Sequence, residues 1–298
     1  MKQGLPEPIW TSMPQLQEGQ SYSCQDGTRP RTPPWSAAVA TPQNRALSRS
    51  CYRAGVALTV PAPERDGPIL DCGPIEARWL GRIDYREAHA LQKRLVAERA
   101  DGRIDDQLLL LEHPAVLTLG RHSDPAHILA SADDLRARAI EVIQVERGGE
   151  VTYHGPGQLV AYPIIALSRR GLMIRPIVRA LEGALVATCA AHGVGAERRD
   201  GHPGCWCDAA GTAPRKIGAL GLRVERGVTY HGIALNVTVD LTDFELIDPC
   251  GMPGVVSTSV AAELGSPDVP PSTESVRRAA TIFAGVFAEA IGAPLEGL

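Results

Sequence analysis

Two segments of this chain nearly repeat each other: Val145-Glu-Arg-Gly-Gly-Glu-Val-Thr-Tyr-His-Gly155 and Val224-Glu-Arg-Gly-Val-Thr-Tyr-His-Gly232, the second shorter by a Gly-Glu pair. Each runs a β-favouring Val-Thr-Tyr stretch into His-Gly, which predicts a strand ending in an imidazole beside a residue with no Cβ. Glycine at that place lets backbone or a ligand come close. The repeat therefore predicts a matched pair of strands framing a site around His154 and His231. The alternative is an accidental match between two similarly placed strands, their histidines making ordinary hydrogen bonds.

The chain is long enough to bury a core, with 298 residues of which 44% are hydrophobic. Its 30 basic and 34 acidic residues are intermixed, for a net charge of -4, so no global field draws it to nucleic acid or to an anionic membrane. Neither a spanning apolar run nor a signal peptide is legible, and the cytoplasm is the expected location. Seven cysteines without framework spacing suit reduced thiols, one of which could work as a nucleophile.

Residues 1–73 carry ten of the 24 prolines and no sustained period, which predicts a disordered arm whose Cys24, Cys51 and Cys72 take no part in catalysis. A single domain is expected over 74–298. Its predicted elements are a strand Ile75 to Leu80, a helix opened by Asp84 with Glu87 three residues on, and buried strands 107–112 and 115–119. Ser131 should cap a short helix, followed by strands 141–146, 150–154 and 158–166. The Gly155-Pro156-Gly157 step between the last two has the composition of a hairpin tip. A helix from Ile174 to His192 has Pro176 in its first turn and Gly193 past its end, with Cys189 on its buried stripe. Asp200 to Arg215 has the composition of a Gly/Pro-rich insert. Strands 216–225 and 228–239 should form a hairpin, and a last helix spans about Thr273 to Ile291. Adjacent strands separated by isolated helices predict an α+β fold around a mostly antiparallel mixed sheet with packed helices.

Three further features carry possible chemistry. Lys216 opens the apolar, glycine-rich strand Lys216-Ile-Gly-Ala-Leu-Gly221; in most proteins such a lysine is only a solvated strand-end charge. Cys250 lies in the turn Asp248-Pro249-Cys250-Gly251, where a thiol is more reactive than in a core. A cation at about 4 Å, in an effective dielectric of about 20, stabilises a thiolate by about 4 kcal/mol, an upper bound of about 3 on the fall in the thiol pKa before other effects offset it. Cys205-Trp206-Cys207 is too closely spaced for an ordinary zinc site, and no metal is expected. The Arg147 to Gln158 run has neither the Lys-Ser/Thr of a P-loop nor a dinucleotide-binding glycine pattern.

Together, Arg147-Gly-Gly-x-x-Thr-Tyr-His154-Gly-Pro-Gly-Gln158, Lys216-Ile-x-Ala-Leu-Gly221, His231-Gly-Ile-Ala-Leu-Asn236 and Pro249-Cys250-Gly251 resemble the lipoyl(octanoyl) transferase, or lipoate-protein ligase B, family from about Pro74 to the end. The resemblance implies the lipoate/biotin protein ligase-like fold and no cofactor. It implies transfer of octanoyl from octanoyl-acyl carrier protein to a lysine of the lipoyl domains of 2-oxoacid dehydrogenase complexes and the glycine cleavage H protein. Cys250 would be the nucleophile and Lys216 its activating partner. Arg147, Gly148, Gly149, Glu150, Val151, Thr152, Tyr153 and His154, with Ala219, Leu220 and Gly221, would line the acyl site. His231, Gly232, Ile233 and Ala234 would complete it. The alternatives are an ATP-dependent lipoate or biotin protein ligase on the same fold, a non-catalytic binder of the same partners, and a cysteine hydrolase using His154 or His231 as base.

Overall fold

The computed structural model describes residues 73–121, 123–249 and 254–298. The arm, apart from Gly73, and the 250–253 segment with Cys250 lie outside the described residues.

Capping chemistry sets the helix boundaries. Strand β1 (Ile75–Arg82) leads to helix α1 (Tyr85–Ala100), whose first N–H groups donate to the Asp84 carboxylate. Strands β2 (Asp106–Glu112) and β3 (Val116–Leu119) precede α2 (Ala132–Ala137), closed by a reciprocal Ser131/Asp134 capping box. After β4 (Glu141–Gln144), β5 (Thr152–His154) and β6 (Gln158–Ile164) comes α3 (Ile174–Ala191), which stops at Gly193 with φ 83°. Next are β7 (Glu197–Arg199), β8 (His202–Cys207), β9 (Arg215–Glu225) and β10 (Val228–Asn236). The chain closes with β11 (Val256–Ser257), α4 (Val260–Glu263), α5 (Thr273–Ala290) and β12 (Leu295–Glu296).

The main sheet has the strand order β12-β1-β2-β6-β10-β9-β8-β7, with β11 added beside β9, and β4-β3-β5 form a separate small sheet. The path from β2 to β7 is antiparallel, whereas β1 runs parallel to β2 and β12, so the fold is α+β on a mixed, mostly antiparallel sheet. Strand β2 reads Leu108-Leu-Leu-Leu111 because both faces of the sheet are covered. Leu108 and Leu110 join the core containing α3 and α5, while Leu109 and Leu111 pack with Ala88, Leu95 and Val96 of α1. No helix of the described residues is long and apolar enough to cross a membrane.

The structure corrects three local expectations. Strands β5 and β6 belong to different sheets, so Gly155-Pro156-Gly157 is a crossing between sheets and not a hairpin tip. Gly157 is required there because a Cβ would lie 2.5 Å from the Thr238 carbonyl oxygen, at φ 83°. The Asp200–Arg215 stretch contains β8, with Cys205, Trp206 and Cys207 fully buried. His154 does end a strand, but His231 sits within β10 at φ 55°, its N–H donated to the buried Gln92 side chain of α1 at 2.8 Å. That backbone conformation is uncommon for a residue with a Cβ.

Candidate active site

The two repeats come together from different sheets around a cleft. The hairpin of β9 and β10, joined through Arg226 and Gly227 at φ 52° and 77°, forms one wall. Register places Gly221 opposite Gly232, and Ala219 opposite Ala234. The segment after β4 lies against this wall: the Gly148 N–H donates to Leu222 O, and a Cβ on Gly221 would meet Gly148 O at 2.8 Å. The glycines of the two repeats are thus used for close approach between sheets.

Arg147, Gly149, Glu150, Val151, Thr152 and His154 line the cleft from the first repeat. Lys216, Ala219, Leu220, Gly221, His231, Gly232, Ile233 and Ala234 line it from the hairpin. Gly148 is not among the lining residues, its N–H being bonded to Leu222 O, and Tyr153 turns away to donate to Asp243 at 2.6 Å and pack edge-on against Phe244. Tyr85 and Tyr162 are lining residues that no motif in the sequence indicated. Tyr85 lies at the first turn of α1, where its spacing signals only a buried face.

Arg147 is buried and clamps the wall, donating to Thr118 O at 2.6 Å and Thr118 Oγ1 at 2.9 Å. Lys216, only 7% exposed, stands with its ammonium 5.1 Å from the centre of the Trp206 ring. Trp206 is its cross-strand partner, so the apparent insert supplies the aromatic floor of the lysine. On its other side Lys216 pairs with Ser257 of β11, and its carbonyl accepts from Thr258 N at 2.9 Å. The chain emerging from the 250–253 segment is therefore held beside Lys216 within four residues of Gly254.

Burial sets the ionisation of the histidines. It lowers His113 to about 4 and both His154 and His231 to about 3, leaving all three neutral at physiological pH. His113 donates from Nδ1 to Ile83 O, so its Nε2 accepts from Tyr162 OH. Neither ring nitrogen of His231 has a hydrogen-bond partner among the described residues. Cys205 and Cys207 are poor nucleophiles: a hydrogen bond with Cys189 and burial push the Cys205 thiol far up, and burial raises Cys207 to about 12.

His89, Glu146 and His231 bring potential ligand atoms within 4.8 Å of one another. The rings of His89 and His231 are, however, stacked at 20°, whereas each imidazole lone pair lies in its own ring plane. The Glu146 carboxylate already accepts from Tyr230 OH at 3.0 Å and bonds His89 at 3.1 Å. Glu146, His89 and Tyr230 thus form a hydrogen-bonded network tying α1 to the first repeat, with the His231 ring stacked on His89.

The chain that builds this cleft, with its buried lysine, is similar to known proteins. The family model described as the lipoyl protein ligase A/B catalytic domain matches residues 84–281. An octanoyltransferase of Chloroflexus aggregans is 47% identical over 70% of this chain and 92% of that relative. The chain belongs to this family. Within it the likeness is to octanoyltransferases, a second being that of Acidobacterium capsulatum, 46% identical over 70% of this chain and 88% of the relative. A lipoate-protein ligase A solved with bound ATP shares the family's fold, with TM-score 0.54 and 16% identity over 76% of this chain and 88% of that one.

Proposed function

We propose that residues 74–298 are an octanoyltransferase domain, moving an octanoyl group from octanoyl-acyl carrier protein to a lysine of a lipoyl domain through a thioester on Cys250. The observation that carries this reading is Lys216, buried on its Trp206 floor and lining a mainly apolar cleft. The identity to octanoyltransferases gives the chemistry its class.

In this mechanism the Cys250 thiolate attacks the octanoyl carbonyl and the carbon–sulfur bond to the carrier's thiol breaks. Lys216 gives that departing thiolate its proton, and one thioester replaces another at little cost. The acceptor amine then attacks the carbonyl, the bond to Cys250 breaks, and the amine's proton passes to Lys216. The product is an amide. The aliphatic lining formed by Ala219, Leu220, Ile233 and Ala234 suits the acyl tail, whose seven methylene and methyl carbons are worth at most about 5–6 kcal/mol at ~0.8 kcal/mol each.

The neutral histidines weigh against a cysteine hydrolase. A base whose conjugate acid has a pKa of about 3 lies far below the operating pH at which general-base catalysis is efficient. Incubating the protein with octanoyl-carrier protein and an unmodified lipoyl domain tests the proposal. Octanoyl-lysine should form without ATP; free octanoate would point to a hydrolase, and an absolute need for ATP to a ligase.

A further inference from the structure

A fully buried chain of hydrogen bonds runs from the first repeat to the segment after Cys250, through side chains to which the transfer reaction above assigns no part. His154 Nδ1 lies 2.7 Å from Gln158 Oε1. Gln158 Nε2 is 3.2 Å from Tyr153 O and 2.9 Å from Asn236 Oδ1, and Asn236 Nδ2 is 2.8 Å from Thr258 O. All three side chains are at most 7% exposed.

The two backbone carbonyls fix every proton in this chain. Tyr153 O and Thr258 O can only accept, so an NH₂ group must face each of them. This orients both amides, because a flipped Gln158 would set oxygen against oxygen at Tyr153. With Gln158 Nε2 donating, Asn236 Oδ1 accepts, and Gln158 Oε1 is left to face the imidazole. His154 Nδ1 must then carry the proton. The ring nitrogen left for the cleft, which His154 lines, is Nε2 with a lone pair.

We propose that Gln158 and Asn236 are positioning residues that hold His154 in its Nδ1–H tautomer, so that His154 Nε2 accepts an N–H of the incoming lysine amine. The inference rests on the transfer reaction proposed above and assigns the chain to its second half. An amine approaching a thioester must direct its lone pair at the carbonyl carbon. An acceptor behind it that engages one N–H turns the lone pair forward, and a neutral imidazole does this without taking the proton. In the other tautomer Nε2–H would meet N–H, donor against donor. Asn236 adds a tether, since its other end holds Thr258, whose N–H is bonded to Lys216 O.

Gln158→Met keeps the length and bulk of the side chain but removes its donor and acceptor. It should slow transfer from the acyl-enzyme to a lipoyl domain about tenfold, the size of one well-placed neutral hydrogen bond, while acylation by octanoyl-carrier protein falls at most about twofold. Following the two half-reactions separately by intact mass makes the split visible. Equal loss in both steps would reduce Gln158 to a structural role, and transfer at the wild-type rate would overturn the inference. If the wild type forms no acyl-enzyme, it is the transfer reaction that fails. Nitrogen-15 NMR of histidine-labelled wild-type protein tests the tautomer without any variant: the proton of His154 is expected on Nδ1, and an Nε2–H signal would contradict the assignment.

Discussion

Replacing Gly221 by alanine tests whether the two repeats are held at the spacing on which the cleft depends. The added Cβ falls 2.8 Å from Gly148 O and 3.3 Å from Arg147 Cδ. Backbone cannot yield as a flexible side chain does, so one wall must retreat by roughly half an ångström, an overpacking that costs about 1–3 kcal/mol. The retreat also pulls on Arg147, whose guanidinium is anchored at 2.6 and 2.9 Å to Thr118. For a domain of this size about 2 kcal/mol corresponds to a fall in Tm of roughly 4–8 °C. Octanoyl transfer should drop about tenfold or more because small misplacements of a site are costly. Gly195→Ala is the control, since a Cβ there meets nothing within 4 Å, and it should change Tm by less than about 2 °C. Calorimetry together with the transfer assay reads both effects. A Gly221→Ala protein as stable and as active as wild type would show that the repeats do not depend on this contact.

Other outcomes follow from the same structure. Trp206→Leu should cost about 3 kcal/mol in urea unfolding, as expected for truncating a wholly buried indole, and should slow enzyme acylation more than a core cavity of equal cost far from Lys216. An unfolded imidazole takes up its proton near pH 6.5 and folded His113 only near 4, so between those values the unfolded state binds more protons. Stability is therefore lost as pH falls through this window, by about 2 kcal/mol per such histidine at pH 5, and equal urea midpoints at pH 7 and 5 would refute the assignment. Gly285 is exposed in the middle of α5 with open space around it, so Gly285→Ala should raise stability by roughly 0.5–1 kcal/mol without touching transfer.

What the sequence revealed is what local chemistry encodes. Asp84, Ser131, Pro176 and Gly193 announce helix ends because capping is satisfied within a few residues. The β9–β10 hairpin was equally legible from Arg226-Gly227 between two β-favouring runs. Sheet membership was not, since Gly155-Pro156-Gly157 has the same composition whether it turns a hairpin or crosses from β5 to β6. Only the Thr238 carbonyl packed against Gly157 distinguishes the cases, and that contact spans some eighty residues. Loop-like composition likewise concealed β8. Glycine and proline flank Cys205-Trp206-Cys207, and the strand exists because register with β9 sets Trp206 opposite Lys216. In the candidate site, the repeat pointed to a site framed by His154 and His231, and the other motif positions that line the cleft came from the family resemblance of the motifs. The aromatic walls Tyr85 and Tyr162 were not legible, because each comes from an element whose pattern reports burial alone. Gln158 and Asn236 lay inside the motifs, but their bonding needs coordinates to be seen.

The central claim is that acyl transfer proceeds through Cys250 with Lys216 as its partner. Intact-mass and peptide spectrometry after incubation with octanoyl-carrier protein, in the absence of ATP, tests it most directly. One octanoyl group should appear on the Cys250 peptide of the wild type, form far more slowly in Lys216→Ala, and be absent in Cys250→Ser. Wild-type protein that transfers octanoyl to a lipoyl domain while Cys250 stays unmodified, or a fully active Cys250→Ser variant, would contradict it.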